Sequence, residues 1–235
     1  MKSLLLVFIL ALNFTSSYAQ TDSIHSEKPG RKQFLKQQVV PLSLVLTGSL
    51  LNIGTIKNRI EDAIPETNIG LDDYLQYSPM AQMYLYDALG FKHQNSVFDQ
   101  TKYLVITQLI SGIVVQGLKS ATKVSRPTGA NNSFPSGHTT FAFAGATVLY
   151  HEFIDTDPWL AYSGYFVATA TGCLRMTNRA HWLPDVLTGA GIGILTGNLV
   201  YYLKPLKKLQ FSSGSKKISF STALGYQSFS LACHF

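Results

Sequence analysis

Runs of apolar residues without a single charge divide this chain. They cover Val39 to Ile56, Tyr103 to Leu118, Thr139 to Tyr150, Pro158 to Leu174 and Val186 to Leu203. Each suits a packed helix, yet each sits at or below the ~20 residues that a membrane span needs. Small residues recur inside them, with Gly48 and Gly54 in the first, Ala142, Ala144, Gly145 and Ala146 in the third, and Gly189, Gly191, Gly193 and Gly197 in the last. Such spacing lets helices approach closely, a habit of membrane bundles that buried soluble helices share. The pattern predicts an all-α helical bundle embedded in a membrane.

The intervening stretches read differently. Residues 57–102 carry Glu61, Asp62, Glu66, Asp72, Asp73, Asp87 and Asp99, with Tyr74, Tyr77, Tyr84 and Tyr86 in the middle. They are expected to form a short helix, a turn at Ser78-Pro79 and a second short helix, without a complete crossing. Beyond Leu203 the period falls to two: Ile218, Phe220 and Thr222 alternate with polar residues, as do Phe229, Leu231, Cys233 and Phe235 after Gly225. That alternation argues for strands and for a small β-hairpin in the C-terminal tail.

The N-terminus has the marks of an export signal. Lys2 supplies the positive start, Leu4 to Leu12 the apolar stretch and Ser17-Tyr18-Ala19 a small-x-small cleavage site. An uncleaved first helix is the alternative. The expected division is therefore a signal over 1–19, a polar flexible lead over 20–37, a helical domain over 38–204 and a tail over 205–235.

Composition narrows the field. Charged residues make up 14%, against about 25% in ordinary globular chains, which fits long uncharged stretches. The net charge of +6 points to an anionic ligand or membrane surface. No nucleic-acid module accompanies it, so nucleic acid is not expected as a partner. The two cysteines, Cys173 and Cys233, make neither a disulfide framework nor a zinc site.

Candidate chemistry gathers in three blocks beside the apolar runs. The first holds Lys119 and, seven residues on, Arg126-Pro127; the second is Pro135-Ser136-Gly137-His138; the third runs from Arg175 through His181 to Asp185. Ser136 is a good N-cap, Gly137 allows close backbone approach, and the N–H groups of a helix start favour an anion. His138 then lies in the first turn, placed to give a proton to a departing oxygen. Pro184 is comfortable only in a first helical turn, which puts a helix start near His181 or Trp182. Asp185, four residues after His181, falls on the same face and can hold one imidazole N–H, leaving the other nitrogen free to attack. Lys119 offers a point charge, while Arg126 and Arg175 offer planar forks that grip two phosphate oxygens. Lys123 and Arg179 read as solvated loop cations. Phosphoryl transfer needs an in-line nucleophile, an acid for the leaving group and fixed positive charge, and each role has a candidate here. No carboxylate cluster invites a metal, so the fixed cations are expected to do the work that magnesium does elsewhere, with no cofactor.

These blocks resemble the type-2 phosphatidic-acid-phosphatase superfamily, which includes membrane lipid phosphatases, soluble bacterial acid phosphatases and vanadium haloperoxidases. The likeness rests on Lys119, Arg126, Pro127, Pro135, Ser136, Gly137, His138, Arg175, His181 and Asp185, and departs at Leu174, where the family usually has serine. The apolar segments extend it from about Val39 to Leu203. It implies His181 as the nucleophile that forms a phosphohistidine, Asp185 as its orienter and His138 as the acid and later base. Lys119, Arg126, Arg175 and the backbone amides of Ser136 and Gly137 would cradle the phosphate, without a metal.

The expected activity is hydrolysis of a lipid phosphate or diphosphate. Phosphatidic acid, phosphatidylglycerol phosphate, a polyprenyl diphosphate and lipid A are all open as substrates. A soluble periplasmic acid phosphatase, a vanadate-dependent haloperoxidase and a non-catalytic phosphate-binding membrane protein are the alternatives. Parity places the three blocks at one membrane face, with the Lys204–Lys208 stretch opposite. Basic flanks favour the cytoplasm, so the expected setting is a bacterial inner membrane with a periplasmic active site; the periplasm or the outer membrane is the alternative. Lys57 and Arg59 are expected on the cytoplasmic side, because an exported N-terminus would make Val39–Ile56 enter from outside.

Overall fold

The computed structural model describes residues 30–203, 219–225 and 228–234. Its helices are α1 (Arg31–Gln37), α2 (Val39–Leu51), α3 (Gly54–Asp62), α4 (Asp72–Leu75), α5 (Ser78–Ala88), α6 (Val97–Thr122), α7 (Gly137–Phe153), α8 (Pro158–Thr177) and α9 (Leu183–Leu203). Strands β1 (Ser219–Gly225) and β2 (Ser228–His234) pair antiparallel, with Ser219 opposite His234 and Gly225 opposite Ser228, so the expected hairpin is present. The two strands belong to a unit separate from the helices.

Local chemistry starts the long helices. Ser96 caps α6 by accepting from Asp99 N at 3.2 Å and donating to Asp99 Oδ2 at 2.8 Å. The first of these bonds satisfies an otherwise orphaned donor. Asp157 caps α8 through Trp159 N at 2.8 Å, with Pro158 in the first turn. The helices outgrow the uncharged runs: α6 has 26 residues, about 39 Å at 1.5 Å per residue, against a hydrocarbon core of ~30 Å. Among the described residues three helices, Arg31–Leu51, Val97–Thr122 and Leu183–Leu203, are long and apolar enough to cross a membrane. Apolar side chains face outward along them, among them Leu42, Leu46 and Leu50 on α2 and Val105, Leu109 and Ile113 on α6. Their four-residue spacing puts each set on one helix face, which is the arrangement a lipid solvent rewards.

The interior combines an apolar cluster of Met83, Tyr103, Leu149 and Phe153 with small polar side chains. Thr107, Ser111, Thr140 and Thr147 are fully buried, and Ser111 bonds Thr196 at 2.6 Å between α6 and α9. Helices α7 and α9 touch through glycine: a Cβ on Gly189 would lie 2.7 Å from Ser136 O, and one on Gly193 would lie 2.6 Å from Thr140 O. That close approach brings the start of α7 against the start of α9, where two of the three sequence blocks lie.

The passes through the bundle alternate in direction. The C-terminal end of α6, the start of α7, the C-terminal end of α8 and the start of α9 meet at one end, joined by Lys119 Nζ to Ser133 O at 3.4 Å and Ser136 N to Asp185 O at 3.0 Å. The opposite end is tied by Glu152, a buried carboxylate that accepts from Asn95 N and Nδ2 at 2.9 Å each and from the Tyr201 hydroxyl.

Four expectations about the N-terminal half need correction. Residues 31–37 of the supposed flexible lead form α1, whose Phe34 stacks on Tyr202 with ring centroids 4.0 Å apart. That contact starts the first pass at the end opposite the blocks. Pro41 and Val45 then lie against Gly191, and Gly48 lies against Thr188, so α2 runs toward the blocks. Lys57 stands 4.8 Å over the Trp182 ring, at the block end and not at the opposite end. Residues 57–102 do cross: Asp72 sits at the block end, while Tyr86 reaches Ser163 at 3.0 Å and Gln94 N reaches Glu152 O at 2.9 Å at the other. Ser78-Pro79 begins α5 instead of making the turn. The expected signal over 1–19 lies outside the described residues, as do Lys204, Lys207, Lys208, Lys216 and Lys217.

Candidate active site

His181 lies in the short link between α8 and α9 and is 1% exposed. Its backbone N–H bonds Arg175 O at 3.2 Å, which turns the chain sharply after α8. Its Nδ1 faces Asp185 Oδ2 at 3.3 Å, the i to i+4 relation that the spacing predicts. Asp185 is completely buried, and the same oxygen accepts from Trp182 N at 3.0 Å and from the Ser133 hydroxyl. A carboxylate held by several donors keeps its place. It fixes the Nδ1–H tautomer of His181, so the lone pair on Nε2 is the one available for attack. Nε2 makes no hydrogen bond among the described residues.

Electrostatics favour the neutral ring. Burial lowers the His181 pKa to about 4; the hydrogen bond and charge of Asp185 oppose that, and the Arg175 and Lys119 charges reinforce it. A ring held neutral at physiological pH can act as a nucleophile without first losing a proton.

Ser133 was not singled out from the sequence. It is fully buried and bonds Asp185, with its hydroxyl 3.4 Å from His181 Nδ1. The hydroxyl has one proton to give, and the carboxylate receives it. Ser133 stands just outside the Pro135-Ser136-Gly137-His138 block, and only its neighbourhood to that block could have drawn attention to it.

The cations converge. The Arg175 charge acts on His181, His138 and Arg126, and the Lys119 charge acts on His181. Lys119 Nζ donates to Asn132 O at 2.5 Å. Arg126 N bonds Ala130 O at 2.7 Å in a tight loop, and its Nε is buried without a hydrogen-bond partner. Arg175 Nη1 pairs with Asp72 Oδ2 at 2.5 Å and lies 3.6 Å from Asp73 Oδ1. His138 Nε2 lies 2.9 Å from Asp73 Oδ1. Residues 72 and 73 thus enter the site from a region with no role assigned by sequence.

Two expected roles change. Ser136 caps α7, its hydroxyl 2.9 Å from Thr139 Oγ1, but its backbone N–H donates to Asp185 O at 3.0 Å. That amide is spent on joining α7 to α9 and is not offered to a phosphate. The N–H groups of Gly137 and His138 head the helix, where helical geometry supplies no partner within it. Arg179 is not a solvated cation: it pairs with Glu61 Oε1 at 2.8 Å and donates to Glu61 O and Ile64 O at 2.7 and 3.0 Å. Burial raises the Glu61 carboxyl pKa and Arg179 works against that, so the pair pins α3 beside the site. Lys123 is exposed, as expected. Among the described residues no group of His, Cys, Asp and Glu is gathered as a metal would need.

A model of the PAP2 superfamily matches residues 99–208, which include all three blocks. Residues 99–208 belong to the PAP2 superfamily. A curated relative, the lipid A 1-phosphatase of Porphyromonas gingivalis, is 36% identical over 141 residues, covering 58% of this chain and 31% of that protein. This chain therefore spans about a third of the length of the relative it matches. Among solved structures, the crystal structure of Aquifex aeolicus LpxE aligns with a TM-score of 0.45 at 20% identity, over 67% of this chain and 92% of that one.

Proposed function

We propose that this chain is a lipid phosphatase that hydrolyses a phosphate or diphosphate on a membrane lipid, with the phosphoryl group passing through His181. The observation that carries this reading is the buried Ser133–Asp185–His181 line, which leaves His181 Nε2 as the free nitrogen beside the convergent cations. Nε2 attacks phosphorus as the bond to the lipid oxygen breaks, and His138 gives that oxygen its proton. Asp185 balances the charge that develops on the His181 ring. Water then attacks phosphorus, His138 takes the water proton, and the phosphorus–nitrogen bond breaks to release phosphate and neutral His181. Arg126, Arg175, Lys119 and the leading amides of α7 hold the equatorial oxygens, where fixed donors act most strongly. No metal is needed in this scheme.

The outward apolar faces of α2 and α6 favour a bilayer setting over a soluble periplasmic phosphatase. The name of the Porphyromonas gingivalis relative makes a phosphorylated lipid A the first substrate to try. The inner membrane is the proposed location, with the catalytic end toward the periplasm. Arg31, Lys32 and Lys36 precede the first pass at the far end, and Lys204, Lys207 and Lys208 follow the last; basic flanks favour the cytoplasm. An exported N-terminus would reverse that orientation, so the signal expected over 1–19 and a periplasmic site exclude each other if the first pass crosses.

The test is phosphate release by purified protein from lipid A, phosphatidic acid, phosphatidylglycerol phosphate, a polyprenyl diphosphate and a soluble ester. The proposal expects lipid substrates to be preferred, and His181→Ala to be inactive while folded. Preference for the soluble ester, or turnover by His181→Ala, contradicts it.

A further inference from the structure

The two histidines of the site are each held by a carboxylate, and only one of these couples is visible as a sequence spacing. His181 uses Nδ1 to reach Asp185, four residues away. His138 uses Nε2 to reach Asp73, sixty-five residues away, at 2.9 Å. We infer that Asp73 and His138 form a second His–carboxylate couple, in which Asp73 is a positioning residue for departure of the leaving group; this rests on the proton-donor role proposed for His138. With Nε2–H given to Asp73, Nδ1 is the nitrogen left for the reaction. The imidazolium passes its Nδ1 proton to the lipid oxygen as the phosphorus–oxygen bond breaks. The ring that remains is neutral, keeps Nε2–H on Asp73, and has a free Nδ1 to take the proton of the attacking water.

Asp73 is delivered by an anchored segment. Thr67 N donates to Thr177 O at 2.8 Å, and Thr67 Oγ1 donates to Asn178 Oδ1 at 3.0 Å. Asn178 Nδ2 donates to Ile69 O at 2.7 Å and to Asp72 Oδ1 at 2.9 Å. The buried Asp72–Arg175 pair closes the clamp one residue before Asp73. The backbone on which Asp73 sits is thereby pinned to the end of α8, the helix that also carries Arg175.

The charge balance around His138 gives Asp73 something to do. His138 lies in the first turn of α7, ahead of the apolar run that begins at Thr139. Burial and the Arg175 charge pull its pKa below the ordinary histidine value, while Asp73, by hydrogen bond and charge, and Asp72, by charge, oppose them. A proton donor must hold its proton until the oxygen departs, and Asp73 is the carboxylate in direct contact. Its side chain is 64% exposed, so its influence is screened and a moderate effect is expected.

The experiment compares two soluble probes with different leaving groups, dodecyl phosphate and 4-nitrophenyl phosphate, on the full chain in detergent. An alkoxide needs a proton on departure and a nitrophenolate does not. Asp73→Asn should lose on the order of tenfold in kcat/KM on dodecyl phosphate, less than the roughly 10²–10⁴-fold of a whole general-acid contribution, and little on 4-nitrophenyl phosphate. The alkaline limb of its pH profile should move to lower pH on the alkyl substrate, and Asp73→Glu should recover part of the loss. Equal losses on both substrates would make Asp73 merely structural and overturn the couple. A gain on either would overturn it too, by showing that the carboxylate competes with phosphate for Arg175. His138→Ala separates the two layers. Leaving-group dependence there but not in Asp73→Asn overturns the couple alone; its absence from His138→Ala overturns the proton-donor role, and the couple with it.

Discussion

Asp72 and Arg175 form a buried ion pair across 103 residues of sequence, with 2.5 Å between Oδ2 and Nη1. The carboxylate is 2% exposed and also accepts from Asn178. Truncating one partner of such a pair leaves the other buried without a counter-charge. Asp72→Ala is therefore expected to destabilise the fold by about 3–5 kcal/mol and to raise KM by freeing the Arg175 fork. Thermal unfolding in detergent, with KM measured well below the transition, checks both. Unchanged stability with unchanged KM would mean that the pair does not hold the fork.

Ser133 acts on the nucleophile through Asp185. Its removal takes one donor from a carboxylate whose Oδ1 already lacks a hydrogen-bond partner. Ser133→Ala should lower kcat by on the order of tenfold, the weight of a net hydrogen bond of about 1–1.5 kcal/mol, with KM little altered. A change in KM alone would assign Ser133 to substrate binding instead.

The two histidines set opposite limbs of the pH profile. His181 must be unprotonated to attack, and burial holds its pKa to about 4, so kcat/KM should rise with pH through that value. His138 must be protonated to donate, and its pKa lies below the ordinary value, so kcat/KM should fall on the acid side of neutrality. A bound phosphate dianion favours the imidazolium, so the falling limb should sit at higher pH in kcat than in kcat/KM. A rising limb near neutrality would contradict the neutral, buried nucleophile.

Orientation is testable with membrane-impermeant thiol labelling in a background lacking Cys173 and Cys233. Lys57→Cys and Asn131→Cys lie at the catalytic end, and Lys32→Cys lies at the other. In intact cells with a permeable outer membrane the first two should label and the third only after lysis. Labelling of Lys57→Cys and Lys32→Cys from the same side would contradict the direction of the first pass.

The bundle and most of the site were legible in the sequence because both are written locally. Apolar runs read as helices, and helix-end residues such as Ser136, Pro184 and Asp185 place the blocks at helix ends. The lengths were underestimated because the polar residues that end an uncharged run, such as Lys119, still lie on the helix. What stayed hidden is what folding brings from afar. Asp72 and Asp73 carry no local signal of their partners, and Arg179 looks like any loop cation until Glu61 is beside it. The spent amide of Ser136 belongs to the packing of α7 on α9 and to no motif. The direction of the first pass went wrong for a related reason: parity hinges on whether residues 57–102 cross, and the broken α4–α5 pass has neither the length nor the uniform apolarity that marks a span.

The central claim is that phosphate passes through His181, and rapid quench of the enzyme with a phosphate-labelled lipid tests it most directly. The account predicts label bound covalently to the protein during turnover, stable to base and lost in acid as a phosphoramidate is, mapping to His181 and absent from His181→Ala. Label on another residue, or phosphate release with full oxygen exchange from water and no protein-bound label at any time, would contradict it.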